Sequence, residues 1–238
     1  MILVSSWDDG NPLDQRLGEL LQRYGFKGTF FVPVHNSYGS TVMSPEAMRT
    51  LAEWHEIGSH TLDHVYLRGL TPDQVRHQVH EGRDRLQGIL GRSVAGFCYP
   101  GGRYNRTTIE VVRAAGFRYA RSVENLVTSA PVDAYQVATT LQIYPHSLTV
   151  LANILLRYPN RIEKSALLRR LAAADGLEER LQIAARYAHE RSGVLHIWGH
   201  SWELESCELW GTLERFLQWV RDLAPRPMAL ADLVEAIG

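Results

Sequence analysis

Short apolar runs alternate along the chain with longer stretches in which apolar residues recur every third or fourth position. Met1 to Ser5 reads as a buried strand and leads into Trp7, Asp8, Asp9 and Gly10. Aspartates are disfavoured inside strands and common in turns, so Asp8-Asp9-Gly10 marks the strand's end. Leu13, Leu17, Leu20, Leu21 and Tyr24 follow at helical spacing, with Gly25 as the stop. Thr29 to Val34 is β-branched, aromatic and apolar on both faces, the pattern of a parallel strand covered by helices. Ser44 caps a helix with Pro45 at its first position, running to about His55. Ile57-Gly58-Ser59 makes a short third strand, and His60 to His64 leave its end.

A helix from about Thr71 to Leu90, closed by Gly91, precedes a strand from Val94 to Tyr99 that ends in Pro100-Gly101-Gly102. The pattern then predicts a helix over Thr107 to Ala115, a strand over Arg118 to Ser122, and a loop from Glu124 to Tyr135. A sixth strand, about Val137 to Tyr144, leads to a long helical stretch from Ser147 to Glu190, interrupted near Pro159 and Gly176. Val194 to Trp198 is a seventh strand ending in Gly199-His200; a helix from Cys207 to Leu223 and a strand–helix unit from Met228 follow. Strands alternating with helices predict a parallel α/β architecture. Residues 1–238 read as one domain, without repeat or linker. Asp8, Asp9, His60, His64, Gly101 and His200 all fall at the C-terminal ends of strands, where barrel enzymes build their sites.

Composition narrows the partners. A hydrophobic fraction of 45%, a charged fraction of 21% and a net charge of −1 describe a soluble globular chain with no basic surface for nucleic acid. Ten histidines against two cysteines make imidazole and carboxylate the natural metal ligands. Cys98 and Cys207 read as reduced thiols. The first strand begins at Met1, which leaves no room for a signal peptide, and no apolar run approaches the length of a membrane span. The expected location is cytoplasmic.

Adjacent carboxylates repel, and one is forced toward protonation unless a cation neutralises the pair. His60 and His64, four residues apart, reach a common point if that segment forms a turn of helix. Two imidazoles and one carboxylate make a divalent-metal site with positions open for water or substrate. An isolated H-x-x-x-H is equally the mark of loop histidines; beside a strand-end Asp-Asp-Gly it points to metal.

Trp7-Asp8-Asp9-Gly10 and Ser59-His60-Thr61-Leu62-Asp63-His64 resemble the F-D-D-G and S-H-T-x-x-H motifs of the polysaccharide deacetylases, the carbohydrate esterase family four or NodB-like group. The resemblance implies a single distorted (β/α)7 barrel, a divalent metal and hydrolysis of an N- or O-acetyl group on a carbohydrate. Zinc is the expected ion, with cobalt, nickel, iron or manganese as alternatives. By position, Asp8 matches the general base, Asp9 the metal carboxylate, and His60 and His64 the metal histidines.

The third motif departs from the family pattern: Cys98 stands where an arginine belongs, in Cys98-Tyr99-Pro100-Gly101-Gly102. Arg121, at the end of the next strand, is the candidate to enter that space. Gly101 is expected to offer its backbone N–H to a developing oxyanion. For the general acid, His200 at a strand end is preferred to His196 within the strand. Tyr99, Pro100, Trp198 and Trp202 are the expected substrate contacts, with Glu203 beside His200. His35, Asn36, Tyr104, Asn105 and His146 are further loop candidates. The long helical stretch covers the mouth or forms a dimer surface. Two rival functions stay open: an allantoinase-like amidase, and a catalytically silent carbohydrate-binding scaffold.

Overall fold

A computed structural model describes residues 1–157 and 161–237, with backbone alone at 156, 157 and 161. The strands are β1 (Ile2–Asp8), β2 (Thr29–Val32), β3 (Glu56–Ser59), β4 (Gly96–Cys98), β5 (Tyr119–Arg121), β6 (Leu141–Gln142), β7 (Val194–Gly199) and β8 (Arg226–Met228). The helices are α1 (Asp14–Arg23), α2 (Pro45–Leu51), α3 (Pro72–Leu90), α4 (Arg106–Ala114), α5 (Leu148–Arg157), α6 (Arg161–Leu171), α7 (Leu177–Glu190), α8 (Ser201–Ser206), α9 (Trp210–Val220) and α10 (Leu230–Ile237). The break expected near Pro159 lies outside the described residues; Gly176, at φ 102°, caps α7. No helix among the described residues is long and apolar enough to cross a membrane. Cys98 and Cys207 are free.

All the strand pairings are parallel, in the order β5-β4-β3-β2-β1-β7-β6. The sheet curls into a half-barrel whose ends approach at one bridge, Arg121 to Val137. β8 is an eighth strand beyond the seven-fold pattern. It pairs with Ile2–Val4 of β1, beside the edge that β2 takes at Ser6–Asp8. This is the parallel α/β architecture that the alternating pattern predicts and the (β/α)7-type barrel that the resemblance implies, with short and imperfectly closed strands.

Strand periodicity sorts the side chains. Leu3, Trp7, Phe30, Val32, Phe97, Leu195 and Ile197 join the main cluster between sheet and helices. The alternate positions Val4, Phe31, Cys98 and Tyr119 form a smaller cluster, into which Leu230 and Leu233 of α10 pack. That same face carries Ser6, Asp8, Arg121, His196 and Trp198, which contact one another. The interior is therefore apolar where the strands begin and charged where they end.

The loop after β3 is fastened to α3 through one residue. The Gln78 carbonyl accepts from Leu62 N (2.9 Å) and its Oε1 from Asp63 N (3.0 Å), while its Nε2 donates to Asp63 Oδ2 (2.7 Å). One turn on, Gly82 lets the helix backbone approach. A Cβ there would sit 2.8 Å from both Leu62 N and the Thr61 carbonyl carbon. Gly→Ala within a solvent-facing helix stabilises by about 1 kcal/mol. At Gly82 the expected sign is reversed: G82A should destabilise by about 1–3 kcal/mol, because backbone must move. Urea denaturation reads this directly.

Candidate metal and proton-transfer site

β1 delivers two adjacent carboxylates into different surroundings. Asp8 is the last strand residue and is 3% exposed; Asp9, at φ 80°, swings its side chain out of the strand's alternation. Asp8 Oδ1 is ion-paired with Arg121, which comes from β5, and its Oδ2 lies 3.7 Å from the Cys98 thiol. Cys98 and Arg121 are cross-strand partners, so the guanidinium passes over the small side chain to reach Asp8. Burial works against the charge of Asp8, but Arg121, then His60 and His200, hold its carboxyl below the usual range.

Asp9 faces three imidazoles. His64 Nε2 lies 3.0 Å and His60 Nε2 3.7 Å from its Oδ1, and His200 Nε2 lies 3.9 Å from its Oδ2. Trp202 Nε1 donates to the same Oδ2 at 3.0 Å. Against its burial, the His64 hydrogen bond and the neighbouring imidazoles hold the Asp9 carboxyl far below the ordinary value. The expected turn of helix is not there. His60 to His64 form an irregular loop in which Thr61 (φ 75°) and His64 (φ 55°) adopt left-handed backbone. The loop brings the two rings together at 5.0 Å between centroids, which a helical turn is not needed to do.

The ligand atoms of Asp9, His60 and His64 lie within 4.8 Å of one another. His60 Nδ1–H donates to the Cys98 carbonyl at 2.9 Å, which leaves Nε2 as the coordinating lone pair, and burial lowers the ring's pKa to about 4. His64 Nδ1 is buried without a partner, so its Nε2 alone fastens that ring. One carboxylate and two imidazoles suit a divalent first-row cation with open coordination positions. Asp8, His60 and Cys98 form a second convergent set. It is the poorer donor set: Arg121 already holds Asp8, and burial pushes the thiol well above its ordinary pKa.

His200 caps the mouth at the start of α8. Its Nδ1–H donates to Glu203 Oε2 at 2.6 Å, and that oxygen also accepts from Gln142 Nε2 at 3.0 Å. Gln142 is fixed in turn by His146 Nε2–H, 2.8 Å from its Oε1. Burial disfavours the imidazolium, yet Glu203 first, then Asp9 and Asp8, raise His200 to about 9. His196 is a packing residue: its Nδ1–H donates to the Ala138 carbonyl (2.9 Å), its Nε2 accepts from Ser6 Oγ (2.8 Å), and burial lowers it to about 3.

The remaining expectations divide. Gly101 stands exposed at the mouth in a 3-10 turn with φ 58°, and a Cβ there would meet Tyr66 at 2.7 Å. Trp202 is 40% exposed with its ring 5.2 Å from His200. Tyr99 and Pro100 are not brought to the opening. The Tyr99 ring stacks on Tyr104 and its hydroxyl donates to the Tyr135 carbonyl, because the residue points into the layer between sheet and helices. Trp198 is buried, with Arg121 over its ring and its Nε1 donating to Asn125. Asn105 caps α4, and His35 lies exposed beside the partly buried Asn36. Gln142, Asn125 and Tyr66 carry no motif and go unremarked in the sequence. Only their placement near the strand ends could have drawn attention.

A family model described as Polysaccharide deacetylase matches residues 2–120. A provisionally named polysaccharide deacetylase of Bacillus subtilis (strain 168), YxkH, is 28% identical over 124 residues, 51% of this chain and 44% of that protein. The peptidoglycan-N-acetylglucosamine deacetylase of Bacillus cereus is 24% identical over 119 residues, 49% of this chain and 54% of that protein. The chain thus spans about half the length of these curated relatives. A family 4 acetyl xylan esterase from Clostridium thermocellum, solved with a cobalt ion, shares the fold at a TM-score of 0.61 and 16% identity, over 99% of this chain and 91% of that one.

In the metal-free protein, the His200 imidazole signal in NMR should titrate near pH 9, against about 6.5 for an unperturbed ring. A raised folded pKa contributes stability that is fully present below about 6.5 and is lost as pH rises through about 9. Glu203→Gln should move the midpoint down, since burial then acts with less opposition. An unmoved midpoint would show that Glu203 does not set it.

Proposed function

Because the chain belongs to the polysaccharide deacetylase family, we propose that it is a metal-dependent hydrolase removing an N- or O-acetyl group from a carbohydrate. One observation carries the reading: three donors converge at Asp9, His60 and His64, with Asp8 paired to Arg121 on one side and His200 hydrogen-bonded to Glu203 on the other. Lewis acidity at those three donors is what a divalent ion, with zinc the best match, supplies when bound; it acidifies water and polarises an acyl carbonyl.

The chain's own groups handle the protons. Asp8, held ionised by Arg121 on Oδ1, has on Oδ2 the weak Cys98 thiol donor, and that oxygen takes a proton from water as the water attacks the acyl carbon. Gly101 offers its backbone N–H to the oxyanion that forms. As the carbon–nitrogen or carbon–oxygen bond breaks, His200 passes its Nε2 proton to the leaving amine or alkoxide. Glu203 holds Nδ1 and fixes the tautomer that makes this transfer possible. Acetate and a free amine or hydroxyl are the products. Trp202, half open beside His200, supplies an apolar wall for a sugar ring.

Acetate release from N-acetylglucosamine oligomers tests the reading. Asp9→Ala should lose bound metal by elemental analysis and all turnover. Asp8→Asn should keep the metal and lose about 10²–10⁴-fold in kcat. Arg121→Ala should move the acidic limb of kcat/KM to higher pH, because burial of Asp8 is then unopposed by its largest cation. If metal content survives Asp9→Ala, or the pH profile survives Arg121→Ala, those roles are wrong.

A further inference from the structure

α8 starts at Ser201, directly after His200, and runs for six residues only. Two consecutive residues of its first turn reach back to the segment that follows β1. The Trp202 indole N–H donates to Asp9 Oδ2 at 3.0 Å, and the Ser201 hydroxyl donates to Asp14 Oδ1. Asp9 and Asp14 are the two ends of the short connection from β1 to α1. Asn11 shapes that connection: its carbonyl accepts from Asp14 N at 2.8 Å and its Oδ1 from Leu13 N at 3.0 Å. His200 thus stands on a short helix whose opening turn is fastened to the carboxylate strand at two points. One of them, Asp14, plays no part in the chemistry set out above.

Asp14 is a costly residue to use as that anchor. It is 0% exposed, as is Ser201, and its Oδ2 has no hydrogen-bond partner among the described residues. Burial, opposed by the Ser201 hydrogen bond and reinforced by Asp9, raises its pKa well above the ordinary carboxylate value. The carboxyl is therefore uncharged, and it adds no third negative charge beside Asp8 and Asp9. One oxygen is engaged and the other idle, so what the side chain does in the fold is hold the Ser201 hydroxyl. Replacing both partners of such a bond by apolar groups of similar shape is nearly neutral for stability. The pair therefore contributes placement more than free energy.

We propose that Asp14 is a positioning residue for proton transfer: through Ser201 it sets the direction in which the start of α8 presents His200 Nε2 to the leaving group. The inference rests on the deacetylase reading and adds to it a residue outside the sequence motifs. Ser201 follows His200 in the chain, so a rotation of the first turn carries the imidazole with it. Glu203 fixes the tautomer of the ring, but it belongs to the same turn and moves too. The hydrogen bonds that place the turn come from outside α8: Asp14 to Ser201, Asp9 to Trp202 and Gln142 to Glu203. Of these, Asp14–Ser201 is the one in which both residues are closed to solvent completely. A misplacement of about 1 Å at a reacting group costs on the order of 10²-fold in rate.

Two acetyl donors separate proton delivery from everything else the site does. The amine of an N-acetylglucosamine oligomer must be protonated to leave, whereas 4-nitrophenolate departs from 4-nitrophenyl acetate as an anion. In zinc-loaded protein, Ser201→Ala and Asp14→Ala should lose about 10–100-fold in kcat on the oligomer, at unchanged KM and metal content, with ester turnover within about twofold of the parent. Asp14→Asn keeps an uncharged acceptor at Oδ1 and breaks no bond at Oδ2, so it should behave as the parent. A second readout needs no activity. The nuclear Overhauser contact between the His200 and Trp198 rings, 5.9 Å apart by centroid, should persist in Asp14→Asn and change in both alanine variants. Melting curves check folding, and Ser201→Ala, which removes a single hydroxyl, carries the test if Asp14→Ala does not fold. The proposal is overturned if folded Ser201→Ala keeps the parent's oligomer kcat or ring contact, if both substrates lose equally, or if Asp14→Asn fails as Asp14→Ala does. A parent that cleaves neither substrate overturns the deacetylase reading instead, and the ring contact then decides the positioning by itself.

Discussion

A carboxylate sealed inside a barrel must find a positive charge, and the rest of the site is arranged around how Asp8 does so. Removing either partner of such a pair typically costs about 3–5 kcal/mol, because a buried charge is then left uncompensated. The partner comes from β5, at the seam where, among the described residues, the curled sheet meets itself. The ion pair thus ties β1, at the middle of the sheet, to its weakly bridged edge. Cys98 matters by being small: it is Arg121's cross-strand neighbour and leaves room for the guanidinium to cross.

The neighbouring acid has the opposite requirement. Asp9 adopts a left-handed backbone, unusual for a residue with a Cβ. The reversal takes its carboxylate away from Arg121 and toward His60, His64 and His200. Two like charges adjacent in the chain are thus each compensated, Asp8 chiefly by Arg121 and Asp9 chiefly by His64 with His60 and His200 acting on both, and both carboxyls are held below the usual range. The same conformational strain recurs at Thr61 and His64, where Gln78 and the close approach of Gly82 hold the loop in place. Rigid packing on α3 therefore sustains donors that an isolated loop would let drift apart.

The imidazoles differ because their second nitrogens differ. His60 donates Nδ1–H to a backbone carbonyl that does not offset its burial and is held toward neutral; His200 donates to a carboxylate that outweighs its burial and is held toward the charged form. His196 sits within β7, just before His200, between a serine and a carbonyl, where Arg121 reinforces its burial and Asp8 opposes it only weakly. One residue type is thus suited to metal donation, proton donation or core packing according to the atom facing Nδ1 and the degree of burial.

Much of this was legible in the linear chain. Alternating strand and helix patterns determined the parallel α/β class, since hydrophobic period and turn residues are local properties; the barrel came with the family resemblance. The Asp-Asp-Gly and His-x-x-x-His spacings located a family and the donor types, because those side chains sit a few residues apart on strand ends. Tertiary structure decided what depends on pairing across strands: that Arg121 lies against Asp8, that Glu203 and not solvent holds His200, that Tyr99 turns into the helix layer, and that Asn125 accepts from the Trp198 indole. It also decided that His60 and His64 meet through a strained loop, not a helix. Such facts turn on strand register and on which face of the sheet a residue occupies. A sequence carries them only implicitly, because one residue's shift in register reverses every side chain.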